Sequence, residues 1–534
     1  MQFNSNSDFP GSHLPSSQWS QLACPPVQFD TAQFAQCAKI TTRILSRCDG
    51  SFDPGSDAQH VLVGGMDYTI KMAKDVLVRT PASAADVQGN GATWSDSSDE
   101  DDDSFGSARG CEPQEMSAPQ AQQAPPHAPQ SPPSGGRAYW LRRTLRAAIY
   151  GQVRYGIVLS KLEPPLRIML PNSSEIVAVE WEETGEAVAI KEMSWEHIRR
   201  QRDKLAEDPI KEVSAMQFLN EWLRNEQRQV EQQQIIQQLQ MNAAPAVYGS
   251  LGSQSDLNAQ LQAMRMSSEG SHASLPINLN GTMLSNLNGS IGVAAPVLTQ
   301  QTVMAIRSLP PRQLTQRDML DSHIMMPLDL LNDDRNLFSV MPYCSGGELF
   351  ELLEKKNRFT EAEARFWFRQ ILVGLTCLKK AGVSHRDLSL ENILVEEGNA
   401  LVIDMGMCLR IPMIDVDGAR RRTLILPQGV CGKWHYMSPE ICKNELPFDG
   451  PTVDLWACGV ILFLMLTGFP PWERPTLTDE RFRYMANGYL VQMLTEWQVP
   501  ISPDAKDLLQ RMFWIDPADR LSLEQVCAHP WLNQ

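Results

Sequence analysis

Two short apolar runs, Ile393-Leu394-Val395 and Leu401-Val402-Ile403, flank the stretch Glu396 to Ala400. The polar, glycine-containing middle predicts a β-hairpin. Antiparallel pairing sets the start of one strand beside the end of the other, so Asn392 and Asp404 should be neighbours. Residues 177–191 hold two β-rich runs around Glu183-Thr184-Gly185, a second predicted hairpin. In its second strand Val188 and Ile190 face one way, Ala189 and Lys191 the other. Asp208-Pro209 suits a helix start; Glu212 lies one turn in, and Val213, Met216 and Leu219 form an apolar stripe. Tyr150 to Leu159 sets Gly151 and Gly156 among strand formers, and Lys161 to Ser174, with three prolines, predicts a loop inserted in the sheet. From His323 the pattern reads strand, turn (Asn332 to Asn336), strand, connector, helix. Leu455 to Phe469 is the most apolar helix candidate but contains Gly459, Thr467 and Gly468 and is shorter than the roughly 20 residues of a membrane span, which predicts a buried core helix. Near the start, Phe34, Cys37, Ile40 and Ile44 fall close to helical spacing and predict a short helix over Gln33 to Ser46; His60 to Val78 predicts another short element.

Elsewhere the pattern is lost. The acidic run at 94–104 and the Pro/Gln/Ala tract from Glu112 to Gly136 cannot bury a core. Residues 1–137 are therefore expected to be mostly disordered. The acidic run reads as a solvating linker; a phosphorylated segment at Ser97 and Ser98 and an acidic docking arm are the alternatives. A second break, 220–316, is too long for a loop inside a compact lobe and reads as an extrusion. Its first part, Glu221 to Met241, extends the preceding pattern as a Gln-rich helix. A disordered insert and a segment that binds a regulatory partner and biases Glu212 both fit it.

Composition narrows the class. Of 534 residues, 43% are apolar, so the whole is globular, and 47 basic against 63 acidic residues give a net charge of −16. That balance argues against a nucleic-acid partner. The eleven cysteines form no C-x-x-C pair, which points to reduced thiols and an intracellular protein, cytoplasmic or nuclear. MQFNSNSDFP has neither the basic segment nor the apolar run of a secretory signal.

The chemistry concentrates in HRDLSLENILVEEGNALVIDMG, 385–406. An amide oxygen at Asn392 beside a carboxylate at Asp404 offers hard oxygen ligands suited to Mg²⁺ shared with substrate phosphates, and Asp387 lies close enough to reach the same place. This stretch resembles the catalytic loop H-R-D-x-x-x-x-N of eukaryotic protein kinases, followed by a variant of their D-F-G motif. The resemblance spans about 140–532 without the insert. It implies an α+β, two-lobed fold, with a β-rich N-lobe at 138–341 interrupted by 220–316 and a helical C-lobe at 342–534. It also implies ATP and Mg²⁺ as cofactors. By resemblance Asp387 accepts the substrate hydroxyl proton, and Asn392 and Asp404 hold the metal. Lys191 of V-A-I-K holds phosphates and Glu212 fixes Lys191. Gly151, Gly156 and Val158 belong to a glycine-rich loop whose middle glycine is Val153. Ala189, Met341, Pro342, Cys344, Glu348 and Leu394 complete the nucleotide site. Ser438-Pro439-Glu440 stands for A-P-E, with Glu440 paired to Arg520, and Asp454 holds the catalytic loop. GGELFELL, LTGFPPW and HPWL look most like the calcium/calmodulin-dependent kinase group, without the calmodulin-binding tail that follows HPWL in many members.

Two departures touch catalysis. Ser389 stands where such kinases carry a lysine facing the γ-phosphate, and Lys433 where they carry a threonine. The pair reads as a reciprocal exchange in which Lys433 supplies the missing ammonium. Met405 replaces the D-F-G phenylalanine, and Thr423 is the candidate phosphosite. The resulting reading is a serine/threonine kinase acting on protein substrates with upstream basic residues, which Glu348 and Glu391 would favour, and having no membrane span. The rivals are a catalytically impaired scaffold of the same fold, and an adaptor acting through its acidic arm and Gln-rich insert.

Overall fold

The computed structural model describes residues 23–48, 58–80, 136–169, 176–202, 204–242, 304, 306–308, 310, 312–416 and 419–534. The chain forms two compact units. The first comprises 1–34, 144–154 and 188–534, the second 35–143 and 155–187.

In the first unit, strands Asp329–Asn332 and Asn336–Pro342 form an antiparallel hairpin. The latter strand also pairs with the end of Ile176–Ser194, from Val188 opposite Pro342 to Ser194 opposite Asn336. Helix Pro209–Asn242 starts where Asp208 accepts from the amides of Ile210 and Lys211. It runs on through the Gln-rich stretch, as its sequence predicts. The helical part centres on Glu361–Ala381 and Gly450–Thr467. Thr360 and Glu363 cap the first reciprocally, and Gly382, left-handed at φ 72°, ends it. Gly450–Thr467 is long and apolar enough to cross a membrane, yet 83% of it is buried inside the protein. Trp456, at its centre, stacks with Trp472 and Phe513. It is the core helix that its apolar run predicts. Arg520 forks onto Glu440 at 2.6 and 2.8 Å, and its guanidinium lies 4.5 Å from the Trp456 ring of this helix.

The second unit corrects three expectations. The predicted helix over Gln33 to Ser46 is instead the strand Ala35–Arg47. It pairs antiparallel with Met66–Arg79, and in parallel at Ile44–Trp181 and Leu45–Glu182. Met66–Arg79 also pairs with Gln59–Val63 and with Ala138–Trp140. Strand Ala35–Arg47 thereby closes a sheet ring around two apolar clusters, one with Leu45, Val61, Ile70 and Val179, the other with Ile44, Ala73, Val76 and Trp181. Within 1–137 these strands are ordered, while most other positions lie outside the described residues. Their buried positions become a core only when distant segments pair. The predicted loop Lys161 to Ser174 is strand as far as Met169, because Leu162, Leu166 and Ile168 pack on the first cluster. The predicted hairpin at 183–185 is one continuous strand, Ile176–Ser194, passing through Gly185 at φ 84°. The Thr184 hydroxyl donates to the Val158 carbonyl, fixing that point to the neighbouring strand. The acidic run, the Pro/Gln/Ala tract and most of the insert lie outside the described residues.

Candidate active site

Strands Ile393–Glu396 and Asn399–Val402 pair in the predicted register, Ile393 opposite Val402. The ladder extends one step further, because the Ile403 amide donates to the Asn392 carbonyl at 3.0 Å. Asn392 and Asp404 are thus neighbours. The Asn392 side-chain amide donates to the backbone and carboxylate oxygens of Asp387 at 2.8 and 3.0 Å. That fixes the side chain's orientation and directs its own oxygen away from Asp387.

Two residues here adopt left-handed backbone without being glycine: Arg386 at φ 66° and Asp404 at φ 69°. Such strain persists only where surroundings overdetermine it. Asp454, fully buried, accepts from the amides of His385 and Arg386 at 2.8 and 2.7 Å. His385 in turn bonds the Ile403 carbonyl through Nε2 at 2.9 Å. The Gly406 amide donates to Asp404 Oδ1. One buried carboxylate and one imidazole therefore tie the loop carrying Asp387 to the strand end carrying Asp404.

Lys191 Nζ reaches Glu212 at 2.6 Å, and both are buried. Burial opposes the ammonium, but Glu212 and Asp404 outweigh it and raise the Lys191 pKa, so the lysine stays charged. Asp404 shows the converse: burial pushes its carboxyl up, and Lys191 and the Gly406 amide more than reverse that, holding it low. A third carboxylate was missed by sequence reasoning. Glu207, just before the helix start, lies 3.9 Å from Lys191, and the carboxylates of Glu207, Glu212 and Asp404 lie within 4.8 Å of one another. Its only signal was its place next to the Asp208 cap. Gly406 makes room for it, since a Cβ there would meet Glu207 Cγ at 2.6 Å.

The exchange pair is in contact. Lys433 Nζ donates to Ser389 Oγ at 2.7 Å and lies 3.2 Å from Glu391. Gly432, at φ 89°, lets the segment turn in here, and a Cβ on it would stand 3.1 Å from the Arg386 carbonyl. Burial pushes the Asp387 carboxyl up, while His385 and Lys433 pull it down.

Ala189 and Met341 are directly opposite in the ladder. Pro342 ends its strand and Cys344 is buried just beyond it. Glu348 forms a bridge with Leu394 and an ion pair with Arg146 at 2.8 Å. Gly151 cannot carry a side chain: its Cβ would stand 2.1 Å from the Glu192 carbonyl. Gly156 and Val158 lie further along the same strand, Gly151–Met169, in the second unit. Met405 is buried. So is Thr423, whose hydroxyl donates to the Pro412 carbonyl.

Residues 313–532 match the protein kinase domain. These residues have the fold of a protein kinase domain. Among related proteins, the chain is 34% identical over 220 residues to serine/threonine-protein kinase SAPK9 of Oryza sativa subsp. japonica. It is 31% identical over 231 residues to the maternal embryonic leucine zipper kinase of Xenopus tropicalis, and 30% over 217 to CBL-interacting protein kinase 31 of Oryza sativa subsp. japonica. These stretches cover 41%, 42% and 40% of this chain. The chain spans 58%, 33% and 44% of the lengths of these relatives. Lys191 and Glu212 of this kinase fold lie outside the matched residues. Their pairing across the strand and the helix rests on the geometry alone.

Proposed function

We propose that this protein transfers the γ-phosphoryl group of ATP to serine or threonine hydroxyls of protein substrates. The observation that carries it is the convergence of Asp387, Asn392 and Asp404 with the buried Lys191–Glu212 pair. The substrate oxygen bonds to the γ-phosphorus, the bond to the ADP oxygen breaks, and the hydroxyl proton passes to Asp387. Asn392 holds Asp387 in place for this. Lys191, kept charged by Glu212, positions phosphates, while Gly151, Ala189, Met341, Pro342, Cys344, Glu348 and Leu394 seat the nucleotide. The donor set fits Mg²⁺: the Asn392 amide oxygen and the Asp404 carboxylate are hard ligands, and when bound the ion neutralises phosphate charge. Lys433, at Ser389, places an ammonium in the catalytic loop for the charge that develops on the transferring group.

Substrates with upstream arginines follow from Glu348 and Glu391. Each already holds a cation of this chain, Arg146 and Lys433, and Arg146, more than half exposed, can yield to a substrate arginine. The short motifs quoted above, and a relative named as CBL-interacting, support a place near the calcium/calmodulin-dependent kinase group. An intracellular setting, cytoplasmic or nuclear, fits a cysteine pattern with no C-x-x-C pair. A regulatory partner at 220–316 fits the continuity of helix Pro209–Asn242, which joins Glu212 to that insert.

The test is labelling of a basic serine peptide from γ-labelled ATP and Mg²⁺. Wild type should label it and Asp387→Asn should not. Absence of labelling by wild type across a broad peptide panel would point to a scaffold instead.

A further inference from the structure

Outside the catalytic machinery, the segment Ala23–Phe34 makes contacts that the kinase reaction does not use. Ala23–Cys24 pairs in parallel with Leu424–Ile425, and the Leu426 amide donates to the Cys24 carbonyl at 3.1 Å. Three residues on, the Val27 amide donates to the Arg410 carbonyl at 3.0 Å. The segment then crosses to the helix that carries Glu212. Phe29 meets Phe218 edge to face with ring centres 5.7 Å apart. Arg410 also packs on Phe218, its guanidinium 4.5 Å from the ring centre. Gln33 and Gln217 exchange two bonds, backbone amide to side-chain oxygen and side-chain amide to backbone carbonyl. Finally Ala32 is buried in the main core, and Phe34 packs edge to face on Trp195.

These contacts join two elements that both define the site. Leu409–Ile425 leads from Asp404 toward Lys433. Helix Pro209–Asn242 presents Glu212 to Lys191. A short extended edge in the first element is a template for strand addition, and the aromatic anchor Phe29 gives the second element a specific partner. We infer that Ala23–Phe34 is a built-in strap that couples these elements, so that binding of the strap favours the ion-paired, assembled site. The surface it covers is a docking surface for an extended peptide with an aromatic residue about five positions after its strand; its occupant here is the chain itself. Thr423, next to the strap-paired Leu424, is buried with its hydroxyl on the Pro412 carbonyl.

This inference rests on the kinase reading for its activity readout, so the test has a second readout that does not. The full chain carrying Val27→Pro and Phe29→Ala loses one donor and the anchor. Amide exchange in 409–426 and 210–219 should rise at least about tenfold, and turnover of a basic peptide should fall at least about tenfold. A synthetic peptide of residues 23–34, added in excess, should restore both in the variant and change neither in wild type. Unchanged exchange overturns the strap. So does raised exchange that the peptide leaves unprotected, since that is plain misfolding. Raised, peptide-reversible exchange with unchanged turnover overturns the coupling to activity. Wild type that never turns over a peptide defeats the kinase reading, while reversible exchange would still establish the strap.

Discussion

At the scale of single residues the site turns on Ser389 and Lys433. A 2.7 Å bond puts an ammonium from one segment onto a hydroxyl in another. Removing one well-placed donor to developing transition-state charge costs about 10²–10³-fold in an acyl-transfer oxyanion hole, and an ammonium at a transferring phosphoryl acts by the same physics. Lys433→Thr should therefore lower kcat by about that factor, and Ser389→Lys added to it should recover most of the loss. Equal activity in wild type and Lys433→Thr would end the exchange idea. A pH profile gives an independent reading. Asp387 must be ionised to take a proton, so the rate falls as pH drops through its pKa. Burial raises that pKa and Lys433 lowers it. Lys433→Met should therefore move the acid limb to higher pH, and an unmoved limb would mean that Lys433 only holds the loop. The residues that meet in the candidate site were legible because each sits in a short local pattern: Asn392 and Asp404 at facing hairpin ends, Lys191 at an apolar strand end, Glu212 one turn beyond a cap. Glu207 was not, because nothing in Ala-Glu-Asp-Pro distinguishes a carboxylate that turns inward from one that stays in water.

Elements show why the remaining misreadings happened. Gln33 to Ser46 carries Phe34, Cys37, Ile40 and Ile44 near helical spacing, yet Ala35–Arg47 is a strand in which Ile44, Leu45 and Ser46 are buried in succession while Ile40 is 37% exposed. A strand buried on both faces at one end loses the period of two that would reveal it. Its partners, at 66–79 and 181–182, are far off in sequence. By contrast, the extension of the Glu212 helix into the insert was legible, since polar helix formers continue without a break. What the sequence could not supply is the anchor. Arg312 reaches Glu231 at 2.6 Å and forks onto Asp318 at 2.6 and 2.7 Å, tying the chain's return from the insert to the far turns of that helix. Arg312→Ala should cost about 1–3 kcal/mol in urea unfolding, the cost of leaving a half-buried charged partner unsatisfied. It should also flatten the acid side of the stability curve. Burial alone would raise the Asp318 pKa, but Arg312 and Thr315 more than offset it and leave it below its ordinary value. A carboxyl depressed in the fold contributes stability above its unfolded pKa and loses it as pH falls through the folded one. That loss should be smaller in the variant, and an unchanged acid slope would place the Asp318 stabilisation in its Thr315 bonds instead.

For the whole molecule, the informative fact is that apolar burial is divided. The candidate site residues sit with a core that includes Met193, Val213, Leu219, Leu372, Trp456 and Phe513. The clusters around Leu45 and around Ile44 draw only on the second unit. Packing energy is short-ranged, and the effect of a cavity stays with the atoms that line it. Stability can therefore be lowered in one unit and left alone in the other. Leu45→Ala deletes a buried side chain whose neighbours are Val61, Ile70, Ile168 and Val179, at a cost of about 2–5 kcal/mol to the structure that holds them. Amide exchange should speed up across Gln59–Val63 and Met66–Arg79, while Glu361–Ala381 and Gly450–Thr467 keep wild-type protection. Leu372→Ala, in the other core, should show the reverse pattern. If Leu45→Ala accelerates exchange equally in both helices, the chain unfolds as one cooperative body and the strands before residue 143 are a structural part of the kinase fold. If the effect stays local, those strands are an added module, free to vary without disturbing Lys191, Asp387 and Asp404.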